Sequence, residues 1–266
     1  MALLKCEYFS VCLAGRGEFY IALPNDVPPM LFGGENPAYK RPMKTLVLLH
    51  GYNGTASDWL TGSAVNELAG KYNIAIIMPS GRNSFYVDKP ATGEWYGKFV
   101  GDELISYCRK TFGLSDKAED TYIGGFSMGG FGAIRNALKY GENYSKVIAL
   151  SSALITSQLK EMTPEMQNPM ANYEYYVNTF GDLKNAENTD ASPEFLVKEL
   201  KAAGKKTPKI FMACGSEDFL IERNKAFDAF LTENGVEHEF HVSPGMHNWT
   251  FWNEYIEPGI KYCVED

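Results

Sequence analysis

Ser127 stands in Gly125-Phe126-Ser127-Met128-Gly129, a G-x-S-x-G pattern whose centre is a candidate nucleophile. A serine hydroxyl attacks an acyl carbon poorly near neutral pH. It needs a histidine to take its proton, a carboxylate to orient that histidine and donors to hold the oxyanion that forms. The flanking sequence predicts the right setting: Thr121 to Phe126 reads as a strand, and Gly129 to Tyr140 places Ile134, Ala137 and Leu138 at helical spacing. A sharp turn between the two projects the hydroxyl clear of the sheet, and small neighbours give it room. A nucleotide reading fits worse, because there is no G-x-G-x-x-G and no Gly-Lys-Ser/Thr follows.

Four histidines compete for the role of base. His247 lies in Ser243-Pro244-Gly245-Met246-His247-Asn248, a turn between the last strand and a helix capped by Asn248, which puts it at the carboxyl edge of a sheet where Ser127 must also be. His238 and His241 fall within a strand pattern and read as edge or surface residues. His50 closes Leu49-His50-Gly51-Tyr52 ahead of the serine and suits support of an oxyanion loop. For the orienting acid, the strand Lys209 to Gly215 leads into Ser216-Glu217-Asp218. Asp218, directly before Phe219-Leu220, is the choice; Glu217 is the alternative, ahead of Asp182 and Asp228. The oxyanion donors expected are the N–H of Met128, after the nucleophile, and that of Tyr52, in the loop after the first central strand.

The elements that must position these groups alternate. Strands are expected at Glu7 to Leu13, Glu18 to Leu23, Thr45 to Leu49, Asn73 to Pro79, Thr121 to Phe126, Lys146 to Leu150, Lys209 to Cys214 and Glu237 to Val242. Helices are expected at Asp58 to Ala69, Asp102 to Phe112, Gly129 to Tyr140, Asn224 to Asn234 and Trp249 to Tyr262. Continuous apolar strand interiors such as LVLL, IAIIM and IFMA belong in a parallel sheet covered on both faces, with the first two strands as an antiparallel edge. Ser151 to Lys206 breaks the rhythm: it is polar, rich in Met, Tyr and Asn, and interrupted by Pro164, Pro169 and Pro193, and it reads as a helical excursion over the carboxyl edge. Its aromatics Tyr173, Tyr175, Tyr176 and Phe180 suit either packing or a pocket wall. The expectation is one α/β domain over residues 1–266, with 151–206 as a lid-like insertion.

Composition narrows the partners. A chain of 266 residues with 45% hydrophobic content is long enough for a large core, and a net charge of -8 without a basic run argues against nucleic acid and anionic membranes. No apolar run approaches the ~20 residues of a membrane span. The amino-terminal MALLKCEYFS meets charge at once and is not read as a secretory signal. Five scattered cysteines without C-x-x-C suit a reducing cytoplasm, with Cys108 and Cys214 as core fillers.

Taken together, Tyr8-Phe9-Ser10, Leu48-Leu49-His50-Gly51 with Trp59, Gly125-Phe126-Ser127-Met128-Gly129-Gly130, Cys214-Gly215-Ser216-Glu217-Asp218-Phe219-Leu220 and Gly245-Met246-His247-Asn248-Trp249 with Trp252 resemble the esterase D branch of the α/β-hydrolases, which overlaps carbohydrate esterase family 1. The nearest likeness is to small tributyrin esterases and acetyl or feruloyl esterases. The resemblance implies an α/β-hydrolase fold with Ser127 as nucleophile, Asp218 as acid and His247 as base, and needs no metal or cofactor. S-formylglutathione hydrolases share G-F-S-M-G-G but carry Leu-Ser-Gly where this chain has Leu-His-Gly.

The activity expected is hydrolysis of short-chain acyl or hydroxycinnamoyl esters, the alcohol half being a small molecule or a plant cell-wall oligosaccharide. His50, Gly51, Trp95, Tyr176 and Trp249 are the residues expected at the substrate. The competing readings are an S-formylglutathione hydrolase-like thioesterase, an acyltransferase of the mycolyltransferase type, and a noncatalytic binding module. A homo-oligomer is compatible with the resemblance, as related small esterases often self-associate.

Overall fold

The computed structural model describes residues 1–25, 28, 30, 34–166 and 170–265, so Pro169 lies outside the described residues. A hairpin of β1 (Ala2–Ser10) and β2 (Gly15–Leu23) is followed by β3 (Lys44–Leu49), α1 (Asp58–Gly62), α2 (Val65–Tyr72) and β4 (Ile74–Pro79). A short ribbon of β5 (Asp88–Lys89) and β6 (Glu94–Trp95) leads through α3 (Tyr96–Lys98) and a π turn at Phe99–Glu103 into α4 (Leu104–Phe112). Then come β7 (Thr121–Phe126), α5 (Met128–Lys139), β8 (Lys146–Leu150), α6 (Tyr173–Phe180), α7 (Pro193–Ala202), β9 (Lys209–Gly215), α8 (Ile221–Glu233), β10 (His238–Ser243) and α9 (Trp249–Val264).

The main sheet runs β1-β2-β4-β3-β7-β8-β9-β10. The β1–β2 and β2–β4 pairs are antiparallel and every later pair is parallel, as the continuous apolar strands predict. Parallel pairing gathers the loops after β3, β7, β9 and β10 at one end of the sheet, and these loops carry Tyr52, Ser127, Asp218 and His247. Strand alternation splits the core in two. Val47, Leu49, Ile123 and Val147 face a layer that includes Phe99, Leu104, Phe131 and Ile134, while Leu46, Leu48, Ile148 and Phe211 face Trp59, Leu68, Trp252 and Ile256. Each such buried aliphatic or aromatic side chain contributes on the order of 1.5–3 kcal/mol.

Several boundaries differ from the sequence reading, three of them with a visible cause or consequence. The first strand ends at Ser10 rather than running to Leu13, because the Glu103 carboxylate accepts from Ser10 Oγ (2.8 Å), the Val11 N–H (2.8 Å) and the Cys12 N–H (2.9 Å) and folds the chain into a turn. The helix expected from Asp58 to Ala69 is two helices, separated at Ser63, whose hydroxyl donates back to the Trp59 carbonyl at 2.5 Å. The helix expected from Asp102 starts earlier, at Tyr96, through the π turn.

Within 151–206 the chain forms α6 and α7 with 3-10 turns at Thr156–Glu161 and Ala186–Asn188. Asn172 and Ser192 cap α6 and α7 by accepting from the Tyr175 and Phe195 N–H groups. The segment is anchored by Phe180, whose ring meets Phe85 at 5.2 Å and Phe131 at 6.2 Å, and by the buried Arg135, which donates to the Asp190 carbonyl at 2.9 Å and pairs with its carboxylate at 3.3 Å.

The start of α5 crosses β3 with no room to spare. A Cβ on Gly129 would lie 2.3 Å from the Leu49 carbonyl oxygen and 2.7 Å from that of His50, both backbone atoms that cannot rotate away. Gly129→Ala is therefore expected to cost about 1–3 kcal/mol, the range of overpacking, read as a lowered urea midpoint; an unchanged midpoint would show that the two segments separate freely.

Candidate active site

Ser127 joins β7 to α5 with φ 54° and ψ -119°, a conformation an L-residue adopts only under constraint. The constraint is visible on both sides. The Ser127 N–H donates to the Leu150 carbonyl at 2.9 Å, and its own carbonyl accepts from Phe131 at 3.1 Å and Ala153 at 3.0 Å. The backbone is thereby tied to β8, the chain after it and the first turn of α5, and the expected strained turn is present.

The structure brings together the predicted acid and base. His247 Nδ1 lies 2.8 Å from Asp218 Oδ2, while Asp218 Oδ1 accepts from the Leu220 N–H at 2.9 Å. Asp218 is 2% exposed. Burial pushes its carboxyl up, but the hydrogen bonds from His247 and Leu220 and the nearby imidazole outweigh burial and hold it below the ordinary carboxylate range. An ionised Asp218 requires a proton on His247 Nδ1, which leaves Nε2 as the acceptor. Phe219 and Trp252 fix the ring between them, at 4.7 Å with a 47° tilt and at 5.1 Å edge-on. Glu217, the alternative acid, is exposed and spends its oxygens on the Ser216 hydroxyl and the Gly245 N–H.

Phe126, next to Ser127, stacks on Trp252 at 4.1 Å and 21°, so the nucleophile's strand and the histidine's helix share one aromatic contact. Among the described residues no hydrogen bond joins Ser127 Oγ to His247 Nε2; such pairs are commonly long in unliganded sites and tighten with substrate.

Ser151 was not singled out from the sequence. It is fully buried with φ 47°, its hydroxyl accepts from Trp252 Nε1 at 3.1 Å, and it reaches the Asp218 carboxylate. Asn224 is likewise buried; it accepts from the Ser152 N–H at 3.2 Å and donates to the Ser152 carbonyl at 3.0 Å, tying α8 to the chain after β8. The one signal for either was a small polar pair, Ser151-Ser152, directly after an apolar strand at the edge that carries the site.

The loop after β3 packs against the nucleophile's turn. Gly51 touches Phe126 so closely that a Cβ would sit 2.4 Å from its ring. His50 is 1% exposed, and both ring nitrogens are engaged: Nε2 accepts from the Gly81 N–H at 2.8 Å, so Nδ1 carries the proton and donates to the Gly51 carbonyl at 2.7 Å. Burial pushes this imidazole down, keeping it neutral. The buried Tyr86 hydroxyl donates to the His50 carbonyl at 3.0 Å. His50 and Gly51 are thus buried supports of the loop, and the expectation that they contact substrate is corrected: no ring nitrogen is left over and Gly51 is covered. The N–H groups of Tyr52 and Met128 have no hydrogen-bond partner among the described residues.

The remaining predicted substrate residues separate. Tyr176 is 7% exposed and lines a cleft with Phe219, beside the imidazole. Trp249 is half-buried among Phe126 (4.8 Å), Trp252 (5.2 Å) and Trp59 (5.3 Å), so its ring serves the packing under the site. Trp95 is 40% exposed and donates its N–H to the Cys12 carbonyl in the β1–β2 turn, at the far edge of the sheet from β9 and β10, and is not brought to His247. His238 and His241 lie on the expected edge strand β10, bonded to Asp228 and Glu239; the His241 ring is at the surface, whereas that of His238 is largely covered. Among the described residues no cluster of His, Cys, Asp and Glu has metal-binding proximity, and no helix is long and apolar enough to cross a membrane.

Comparison with known proteins finds relatives across the whole chain. An acetyl esterase from Caldicellulosiruptor saccharolyticus is 41% identical over 262 residues, covering 98% of both chains. The solved structure of the Staphylococcus aureus fluorophosphonate-binding serine hydrolase FphF superposes with a TM-score of 0.84 at 27% identity, covering 100% of this chain and 99% of that one. The Staphylococcus aureus S-formylglutathione hydrolase FrmB gives 0.81 at 27% identity, with 99% of each chain covered. The fold is that of the α/β-hydrolases. Residues 16–261 match the Esterase family model, described as Putative esterase, and the chain belongs to that family.

Proposed function

We propose that the protein is a serine carboxylesterase that hydrolyses short-chain acyl esters through an acyl-enzyme on Ser127. The observation that carries this reading is the 2.8 Å bond between His247 Nδ1 and Asp218 Oδ2, which leaves Nε2 free to accept a proton. Ser127 Oγ attacks the acyl carbon and its proton passes to His247 Nε2. The carbonyl oxygen takes the negative charge and accepts from the Tyr52 and Met128 N–H groups. The carbon–oxygen bond to the alcohol breaks, and the departing alkoxide takes the proton from His247. Water then repeats the sequence on the acyl-enzyme, releasing the carboxylic acid and restoring Ser127.

Acetyl is the acyl group this reading favours, supported by the 41% identity to an acetyl esterase; hydroxycinnamoyl esters are the second choice. The thioesterase reading is supported by the likeness to FrmB, and the Leu-His-Gly at the oxyanion loop sets it behind the ester reading. A reducing cytoplasm is the compartment proposed, supported by five cysteines that form no disulfide, with burial raising Cys12 and Cys214 to about 12.

Ser127→Ala is expected to abolish turnover of 4-nitrophenyl acetate and butyrate; equal rates in the variant would remove the mechanism. Asp218→Asn, which lets the imidazole take the wrong tautomer, is expected to lower kcat by on the order of 10⁴ while the fold persists; a loss of only a few fold would place the orienting acid elsewhere. Asp218 is held below the ordinary carboxylate range. The same depressed carboxyl stabilises the fold above its unfolded value and loses that contribution as pH drops through the folded one. The urea midpoint of Asp218→Asn should therefore fall less in acid than that of the wild type; parallel falls would contradict this role of the carboxyl.

A further inference from the structure

A cleft of about 330 Å³ opens beside the His247 imidazole, and nothing in the catalytic cycle above uses it. Ile155, Leu159, Met162, Tyr176 and Phe219 line it with apolar and aromatic surface, and Arg223, on α8, supplies a cation. Phe219 joins the cleft to the chemistry, because the same ring lies 4.7 Å from the His247 ring. Arg223 is half-buried, yet among the described residues its side chain makes no ion pair and no side-chain hydrogen bond. Burial lowers its affinity for the proton, with only the Tyr176 hydroxyl opposing. The acids nearby do not relieve it: Glu222 is taken by Lys225 at 2.8 Å, and the cleft-lining Glu161 is exposed and outside ion-pair reach of Arg223.

A guanidinium without a counter-ion against methionine, leucine and aromatic surface is costly to keep. Its planar fork matches a carboxylate in two hydrogen bonds, each roughly twice as strong as a neutral one. Which half of an ester reaches it follows from proton transfer: the leaving alkoxide must accept from His247, so the alcohol half lies on the imidazole's side, where the cleft begins.

We propose that this cleft binds the alcohol half of the substrate and that Arg223 holds a carboxylate on it, so that the preferred substrate is a short-chain ester of a hydroxy acid. The inference rests on the esterase reading above. In the reaction the acyl carbon exchanges its bond to the alkoxide oxygen for one to Ser127 Oγ, the alkoxide leaves as the neutral hydroxyl, and the carboxylate stays ionised throughout.

The test compares 4-acetoxybenzoate with its methyl ester, which give the same acetyl-enzyme and differ in the charge of the alcohol half. With each rate normalised to hydroxide-catalysed hydrolysis, the wild-type kcat/KM should favour the free acid by at least about tenfold, mostly through KM. Arg223→Gln should bring the ratio to about one, and Arg223→Lys should keep part of it. A wild-type ratio at or below one, or a ratio unchanged in Arg223→Gln, overturns the proposal. A preference for monoethyl over diethyl succinate that depends on Arg223 would put the charge on the acyl half and also overturn it. Calorimetric binding of 4-hydroxybenzoate to Ser127→Ala, with and without Arg223→Gln, separates this inference from the catalytic one. Binding that weakens about tenfold or more supports the cleft even where no ester turns over, and absent or equal binding refutes it.

Discussion

The site depends on one steric constraint, the contact of Gly129 with the carbonyls at the end of β3. Without side-chain carbon there, α5 starts against the backbone of Leu49 and His50, and the chain between β7 and α5 has only the span of Ser127 in which to reverse. The serine takes the strained φ of 54° because its neighbours on both sides are fixed, by β8 through Leu150 and by the helix through Phe131. Strain of this kind costs of order 1–3 kcal/mol and persists only where surrounding bonds over-determine it. Here the same contact that imposes the strain brings the loop after β3 beside the nucleophile.

Buried polar groups then do locally what the sheet does globally. His50, neutral and bonded at both nitrogens, fastens the loop after β3 to Gly81, and Tyr86 fastens it again through the His50 carbonyl. Ser151 links Trp252 to Asp218, and Asn224 links α8 to the chain after β8. Each of these groups would be expensive to bury alone and is bonded, so the loops that carry Tyr52, Asp218 and His247 are held from behind. The aromatic stack of Phe126, Trp252 and Trp249 fills the space beneath them.

Much of this was legible in the chain because parallel sheets punctuate sequence regularly. A strand, a short connection and a helix mark the carboxyl edge three times, at Ser127, Asp218 and His247, and no other histidine occupies such a connection after the serine. What was not legible depends on contacts between distant segments. The end of β1 is set by Glu103, 92 residues beyond Val11. His50 reads as a support of the oxyanion loop, but its partner Gly81, 31 residues on, is visible only in the fold. Arg223 lies just before the helix expected at Asn224 to Asn234, and only the excursion packing beside it makes it a cation facing an apolar cleft. The substrate residues chosen for their aromatic rings fared unevenly for the same reason: Trp249 and Trp95 are equally plausible by type, and tertiary packing alone decides what each ring meets.

Catalysis in this reading rests on Ser127 as the covalently reacting group. Labelling the intact protein with a fluorophosphonate and mapping the adduct by peptide mass spectrometry tests it most directly. One adduct is expected, on the peptide containing Ser127, and it should not form in the presence of excess acetyl ester. An adduct on any other serine, or none with the fold intact, would contradict it.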